Sequence, residues 1–207
     1  MGNADAYAVI GWGSLIWDLE VLTPHVSGPW QMGAGPQLSM EFTRVSPKRK
    51  MGLAVCLDAE HGALCPTHVI RSVRGDLADA VADLVARERA PLDGIGGVCL
   101  AKGTVQGRFA DVVRAWCLSA GWKGAVWTNV TPNFAEARGE AFTIPRAMAY
   151  LSGLEGESRD EAVRYIDNAP AATDTPLRRA LSAERWWQVE AARVRALDLA
   201  ARRAGSG

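Results

Sequence analysis

The sequence predicts an α+β fold: a small, mixed but mostly antiparallel β-barrel with flanking helices and a helical C-terminal extension. Three observations lead there. Short runs of period-two alternation, separated by glycine- and proline-rich turns, fill much of the first two thirds of the chain. Strands follow strands, the order of an antiparallel sheet closing on itself rather than of a βαβ array. Beyond residue 140 the apolar spacing turns helical. The 207 residues therefore divide into a core, 1–140, and an extension, 141–207, packed on it as a single compact domain.

Composition bounds the function. At 48% hydrophobic and 22% charged residues, the chain can bury a sizeable core. Its 23 acidic and 23 basic residues cancel, so neither nucleic acid nor an anionic membrane is an expected partner. No apolar run approaches a membrane span, and Asp5 stands where a secretory leader would be basic; a cytoplasmic protein is expected. Cys56, Cys65, Cys99 and Cys117 are then free thiols. Cys56, His61, Cys65 and His68 are separated by four, three and two residues, which fits no common zinc pattern. They read as two buried small hydrophobes and two surface imidazoles, and no metal is expected.

Tyr7 to Ile10 reads as a short buried strand. Gly11 and Gly13 then flank Trp12, where the backbone can turn sharply and a ligand can approach it closely. Ser14 and the amides around it would offer several donors in one concave spot, suited to an oxyanion or a carboxylate. Residues 18–36 are punctuated by proline and glycine, with a brief strand over Val26 to Trp30. Leu38 to Val45 alternates as a strand, and Ser46 to Lys50 makes a polar turn. Gly52 to Leu57 and Cys65 to Ile70 read as a hairpin around Asp58 to Gly62.

Residues 75–89 form the most informative helix. Asp76 is placed as N-cap, and Asp79 adds negative charge to the first turn. Leu77, Val81, Leu84 and Val85 make an apolar stripe whose next position is Glu88, while Arg87 and Arg89 point elsewhere and Pro91 prevents continuation. A carboxylate on a core stripe is costly unless paired or protonated. Desolvation would raise its pKa toward neutrality, where an acid/base catalyst works best. The other reading is a structural ion pair with Arg71, Arg74 or Arg44, or a stripe that has already reached the surface.

Gly94 to Gly97 lacks the strand–loop–helix setting of a phosphate-binding loop. Residues 108–120 read as a helix and Gly124 to Val130 as a strand, with Trp127 in the core. The C-terminal part carries helical patterns over Ile144 to Leu154, Arg159 to Asn168 and Leu177 to Ala201, the second capped by Ser158 with Glu161. Of the adjacent Trp186 and Trp187 only one can face fully inward, so the other marks a candidate homodimer contact.

Two motifs carry a resemblance. Gly11-Trp12-Gly13-Ser14-Leu15-Ile16-Trp17, straight after an apolar strand, resembles the signature loop of the gamma-glutamylcyclotransferase-like proteins. Leu84-Val85-Ala86-Arg87-Glu88 is similar to the Leu-x-x-Arg-Glu stretch of the family's glutathione-degrading branch. The resemblance covers about the first two thirds of the chain. It implies a barrel-like core, no metal or cofactor, and a small-molecule γ-glutamyl substrate cyclised to 5-oxoproline with release of an amine. It further implies that Glu88 is the catalytic acid/base. Gly11, Trp12, Gly13, Ser14 and Leu15 would bind the γ-glutamyl group through their backbone, and Arg44 and Ser46 lie where relatives carry arginine and serine near the substrate. Trp12 stands where the family has tyrosine and supplies no phenolic hydroxyl. Two alternatives stand beside it: a non-catalytic binding or regulatory module on the same fold, and a different amine-releasing or acyl-transfer enzyme on the same scaffold acting on a γ-glutamyl-capped metabolite. A serine hydrolase is disfavoured, since no Gly-x-Ser-x-Gly elbow is present.

Overall fold

The computed structural model describes residues 3–204. In chain order the elements are β1 (Tyr7–Gly11), β2 (Val26–Gln31), β3 (Gln37–Ser46), β4 (Gly52–Leu57), β5 (Ala63–Pro66), β6 (His68–Ser72), α1 (Leu77–Glu88), β7 (Ile95–Cys99), β8 (Thr104–Gln106), α2 (Ala110–Ala120), β9 (Gly124–Thr128), α3 (Phe134–Arg138), α4 (Ile144–Gly153), α5 (Gly156–Asp167), α6 (Pro176–Ala183) and α7 (Arg185–Ala204). The fold class is α+β. The chain forms two compact units, Met1–Ser39 with Leu64–Thr131, and Met40–Ala63 with Pro132–Gly207.

The first unit is built on a six-stranded sheet in the order β2-β6-β1-β9-β7-β8. Its pairs are antiparallel except β1 with β9, which run parallel. Alternation sends Tyr7 and Val9 of β1 to one face, with Ile70, Val126, Ile95 and Cys99 beside them, and Ala80 and Leu84 of α1 cover that face. Ala8 and Ile10 point to the other. Helix α2 packs against β7 and β9. Trp127, fully buried, lies across Gly96, its direct partner on β7, where a Cβ would collide with the indole.

The sheet is open, with β2 and β8 at its edges, so the expected barrel is not formed. The reason lies in where the strands go. β3, β4 and β5 make a separate three-stranded sheet, β4-β3-β5, instead of extending the larger one. The stretch read as one strand from Cys65 to Ile70 is two strands in two sheets. Pro66 cannot donate to a ladder, and Thr67 next to it turns its N–H and its hydroxyl to the Pro36 carbonyl, at 3.3 and 2.7 Å. The expected hairpin is likewise absent: β5 neighbours β3 and not β4.

In the second unit α5 packs on β4. Gly52 allows the close approach, since a Cβ there would sit 3.0 Å from that of Ala162. Glu41, fully buried on β3, accepts from the N–H groups of Phe42 at 2.8 Å and Leu177 at 2.9 Å, and so holds the start of α6. Two helical expectations are corrected. α5 begins at Gly156 after Glu155, a turn before Ser158, because the left-handed φ of +52° at Gly156 lets the chain enter the helix there. The stretch Leu177 to Ala201 is two helices, broken at Glu184, whose extended backbone (ψ 127°) cannot continue a helix. No helix among the described residues is long and apolar enough to cross a membrane.

Candidate functional site

β1 is buried along its whole length and delivers the chain to the glycine loop. Gly11 is glycine for a packing reason: a Cβ there would lie 2.5 Å from Cη2 of Trp30. Trp12 is extended and 7% exposed, so its indole belongs to the interior. Gly13, at φ +55°, takes the left-handed conformation that glycine adopts without strain. It opens a 3-10 turn, Gly13–Ile16, whose Ser14 carbonyl accepts from the N–H groups of Trp17 at 3.2 Å and Asp18 at 2.9 Å. Leu15 anchors the turn in the core at 3% exposure. The N–H groups of Gly13 and Ser14, at the head of the turn, have no acceptor within it.

α1 begins as the sequence predicts, with the Asp76 carboxylate accepting the Ala78 N–H at 2.8 Å. β6 runs antiparallel to β1, and α1 returns along the sheet face, so its last turn arrives at the end where β1 stops. Arg74 steadies this return with two bonds to Asp83, at 2.7 and 2.8 Å, and a third contact to Nδ1 of His25 at 2.9 Å.

The buried face of the helix is Ala80, Asp83, Leu84 and Arg87, which corrects the expected orientation. Arg87 does not point away; its side chain is fully buried. Nε and Nη2 donate to the Asp18 carbonyl at 3.1 and 2.6 Å. Nη1 lies 3.4 Å from the Glu88 carboxylate and 3.8 Å from that of Glu20. Glu88 is therefore at the rim, its side chain 20% exposed, and is paired rather than isolated in the core. Arg89 reaches back to Glu20 at 2.9 Å. The loop leaving Gly11–Trp17 and the end of α1 are thus brought together within the first unit, with Arg87 as the link.

Arg44 and Ser46 belong to the second unit, on β3, where they pair with Ala54 and Gly52 of β4 and are half-buried. Also there, Asp58 accepts from the N–H groups of Glu60 and His61, both at 2.9 Å. Burial opposes ionisation of this carboxyl, but those amides, the Thr43 hydroxyl and the neighbouring imidazole outweigh it and hold it below the usual carboxylate range. Among the described residues no three His, Cys, Asp or Glu side chains are grouped to hold a metal ion.

Three features escape a reading of the sequence. A buried arginine gives no hydropathy signal, so Arg87 is invisible to a stripe drawn from apolar residues alone. His68, a surface imidazole by its sequence pattern, is 2% exposed on β6 directly opposite Gly11. The signal for it was the strand's start: once β6 begins at residue 68, His68 shares a face with Ile70. At the other end of the sheet the Tyr7 hydroxyl donates to Cys99 Sγ at 3.1 Å. Burial works against the Cys99 thiolate, yet bonds from Tyr7 and from the Lys102 and Ala101 amides hold the thiol below its ordinary value.

No family model matches this chain, and no curated protein or solved structure matches it.

Proposed function

We propose that the protein is a gamma-glutamylcyclotransferase-like enzyme. It cleaves a γ-glutamyl amide or peptide by cyclising the γ-glutamyl group to 5-oxoproline. The observation that carries this reading is the meeting of two sequence motifs: Arg87 ties the end of α1, where Glu88 sits, to the carbonyl of Asp18, just past the glycine loop. The two motifs are far apart in sequence and meet within the first unit.

In this reading the free α-amine of the substrate attacks its own γ-carbonyl carbon. The new C–N bond closes the lactam, and the bond to the departing nitrogen breaks. Holding both ends of one molecule in a near-attack geometry supplies much of the rate, since effective molarities of about 10⁵–10⁸ M are reached in well-oriented intramolecular reactions. Glu88 takes the proton that the amine must lose and returns it to the leaving nitrogen. The N–H groups of Gly13 and Ser14 and the backbone of Leu15 hold the substrate's carboxylate or polarise its carbonyl, with Gly11 and Trp12 shaping the approach. Arg44 and Ser46 are assigned to substrate binding by the family resemblance alone. No cofactor is invoked.

The test is release of 5-oxoproline from glutathione, γ-glutamyl amino acids and γ-glutamyl amines. Wild-type protein releases it from at least one, and Glu88→Gln, which preserves shape, lowers kcat by about 10²–10⁴-fold, the usual share of general acid–base catalysis. Full activity in a folded Glu88→Gln protein would remove Glu88 from the mechanism. The burial of Trp12, which brings no hydroxyl, favours one second reading, a module that binds such compounds without turnover. Its mark would be thermal stabilisation by a panel member with no product formed.

A further inference from the structure

Glu88 is bracketed by its own neighbours. Arg87 before it and Arg89 after it are both tied to the chain that leaves the glycine loop, and Glu20 takes part in both ties. The buried Arg87 gives Nε and Nη2 to the Asp18 carbonyl at 3.1 and 2.6 Å, and its Nη1 lies 3.8 Å from Glu20 Oε1. Arg89 Nη2 donates to Glu20 Oε2 at 2.9 Å. The Glu20 N–H in turn donates to the Asp18 carboxylate at 3.2 Å, which fixes this stretch locally. Both Glu20, at φ +46°, and Arg89, at φ +51°, hold the left-handed conformation that L side chains rarely adopt. Arg89 does so as the C-cap of α1, a common helix ending. Glu20 does so at the first residue of the 3-10 turn Glu20–His25, where no helix is being ended. Strain of that kind collects at functional sites.

One nitrogen is shared by two carboxylates. Arg87 Nη1 lies 3.4 Å from Glu88 and 3.8 Å from Glu20, and both carboxylate side chains are only about a fifth exposed, so water and salt screen them weakly. Without Glu20, the attraction of Nη1 would fall on Glu88, favour its ionised form and make it a poorer base. With Glu20 in place, a like charge beside Glu88 works the other way. Arg89 completes the set by pairing with Glu20, not with Glu88. The other titratable groups on the elements around the end of α1 are His25, held 3.6 Å from Asp83 further back on the helix, and Asp93 on the turn Leu92–Gly94 that follows it.

We infer that Glu20 is a positioning residue for Glu88: it anchors Arg87 and Arg89 on either side and draws off part of the Arg87 charge, so that the Glu88 carboxylate can take a proton. Its part in catalysis rests on the cyclotransfer reading; its hold on Glu88 does not.

Carbon NMR of the side-chain carboxyls of the full chain, followed across pH, tests that hold directly, with the Glu88 signal identified by its loss in Glu88→Gln. Glu20→Gln keeps the shape and removes the charge. In it the Glu88 titration midpoint falls by about one pH unit. Glu20→Asp restores the charge, suits the left-handed backbone and recovers most of the shift. Glu20→Asn, equally suited, gives the same readout as Glu20→Gln should that variant fail to fold. In 5-oxoproline release by Glu20→Gln the acid limb of kcat/KM moves to lower pH by the same amount. There kcat falls about 3–10-fold at unchanged KM, well short of the loss in Glu88→Gln. A merely structural role would lower activity alike at every pH. An unmoved midpoint in a folded variant overturns the inference, and a moved midpoint with an unmoved acid limb overturns the part of Glu20 in the reaction. Turnover with an unmoved midpoint would defeat this inference alone; a moved midpoint with no product from any compound would defeat the cyclotransfer reading alone.

Discussion

A guanidinium taken out of water keeps its charge, so its donors must be matched by acceptors or the fold is penalised. Arg87 meets that demand with one carbonyl and two carboxylates, those of Glu20 and Glu88. Replacing it with methionine keeps the volume and removes the fork. We expect Arg87→Met to lower stability by about 3–5 kcal/mol, the cost of breaking a buried charged pair, read from a shift in the denaturant midpoint at unchanged m-value. Arg87→Lys should recover only part of the loss, because an ammonium cannot span Asp18 and Glu88 together. His68 gives a pH dependence of defined sign. Its folded-state pKa lies below the ordinary value through burial. As pH falls below about 6.5 the unfolded chain takes up a proton that the folded protein refuses, so stability is full above that pH and declines as pH falls toward the folded pKa. Thermal unfolding across that range should show a shallower acid decline for His68→Asn than for wild type; equal slopes would mean that His68 is not the group responsible.

Elements were legible in the sequence where the signal is local. β1, the Asp76 cap and the span of α1 follow from alternation, capping chemistry and apolar spacing, all of which act within a few residues. What each element packs against was not legible. Period-two alternation marks a buried face without naming the partner strand, so the split of residues 63–72 between two sheets and the parallel pairing of β1 with β9 came only from the structure. The stripe on α1 was drawn from hydrophobic residues and missed the true inward line through Ala80, Leu84 and Arg87 by a fraction of a turn. α6 illustrates an element fixed from outside its own sequence. Its first N–H groups are satisfied by Thr175, which accepts from Arg178 at 3.3 Å, and by Glu41 of β3. Burial pushes the Glu41 carboxyl up, and bonds from the Thr175 hydroxyl and the Leu177 and Phe42 amides pull it back. Glu41→Ala orphans those amides, and at about 1–3 kcal/mol for each buried donor left unpaired it should loosen α6 first. Faster hydrogen exchange at Leu177 and Arg178, with exchange in α1 unchanged, is the expected pattern.

Over the whole molecule, the two units are each discontinuous in sequence. Composition and periodicity gave the α+β class because they are sums over many residues; the closure of a sheet depends on where single strands leave it, as at Pro66 and Thr67. The candidate site divides along the same line. Gly11–Leu15 and Glu88, the two strongest motifs, fall together in the first unit, whereas Arg44 and Ser46 fall in the second. The proposed reaction closes a γ-glutamyl group on itself without water entering the bond. The most direct measurement is mass spectrometry of the products formed from γ-glutamyl compounds in ¹⁸O-enriched water. Cyclisation would give 5-oxoproline with no ¹⁸O, formed by wild type and suppressed in Glu88→Gln. Glutamate carrying ¹⁸O would show hydrolysis instead, and the absence of both products across the panel from folded protein would contradict an enzymatic role.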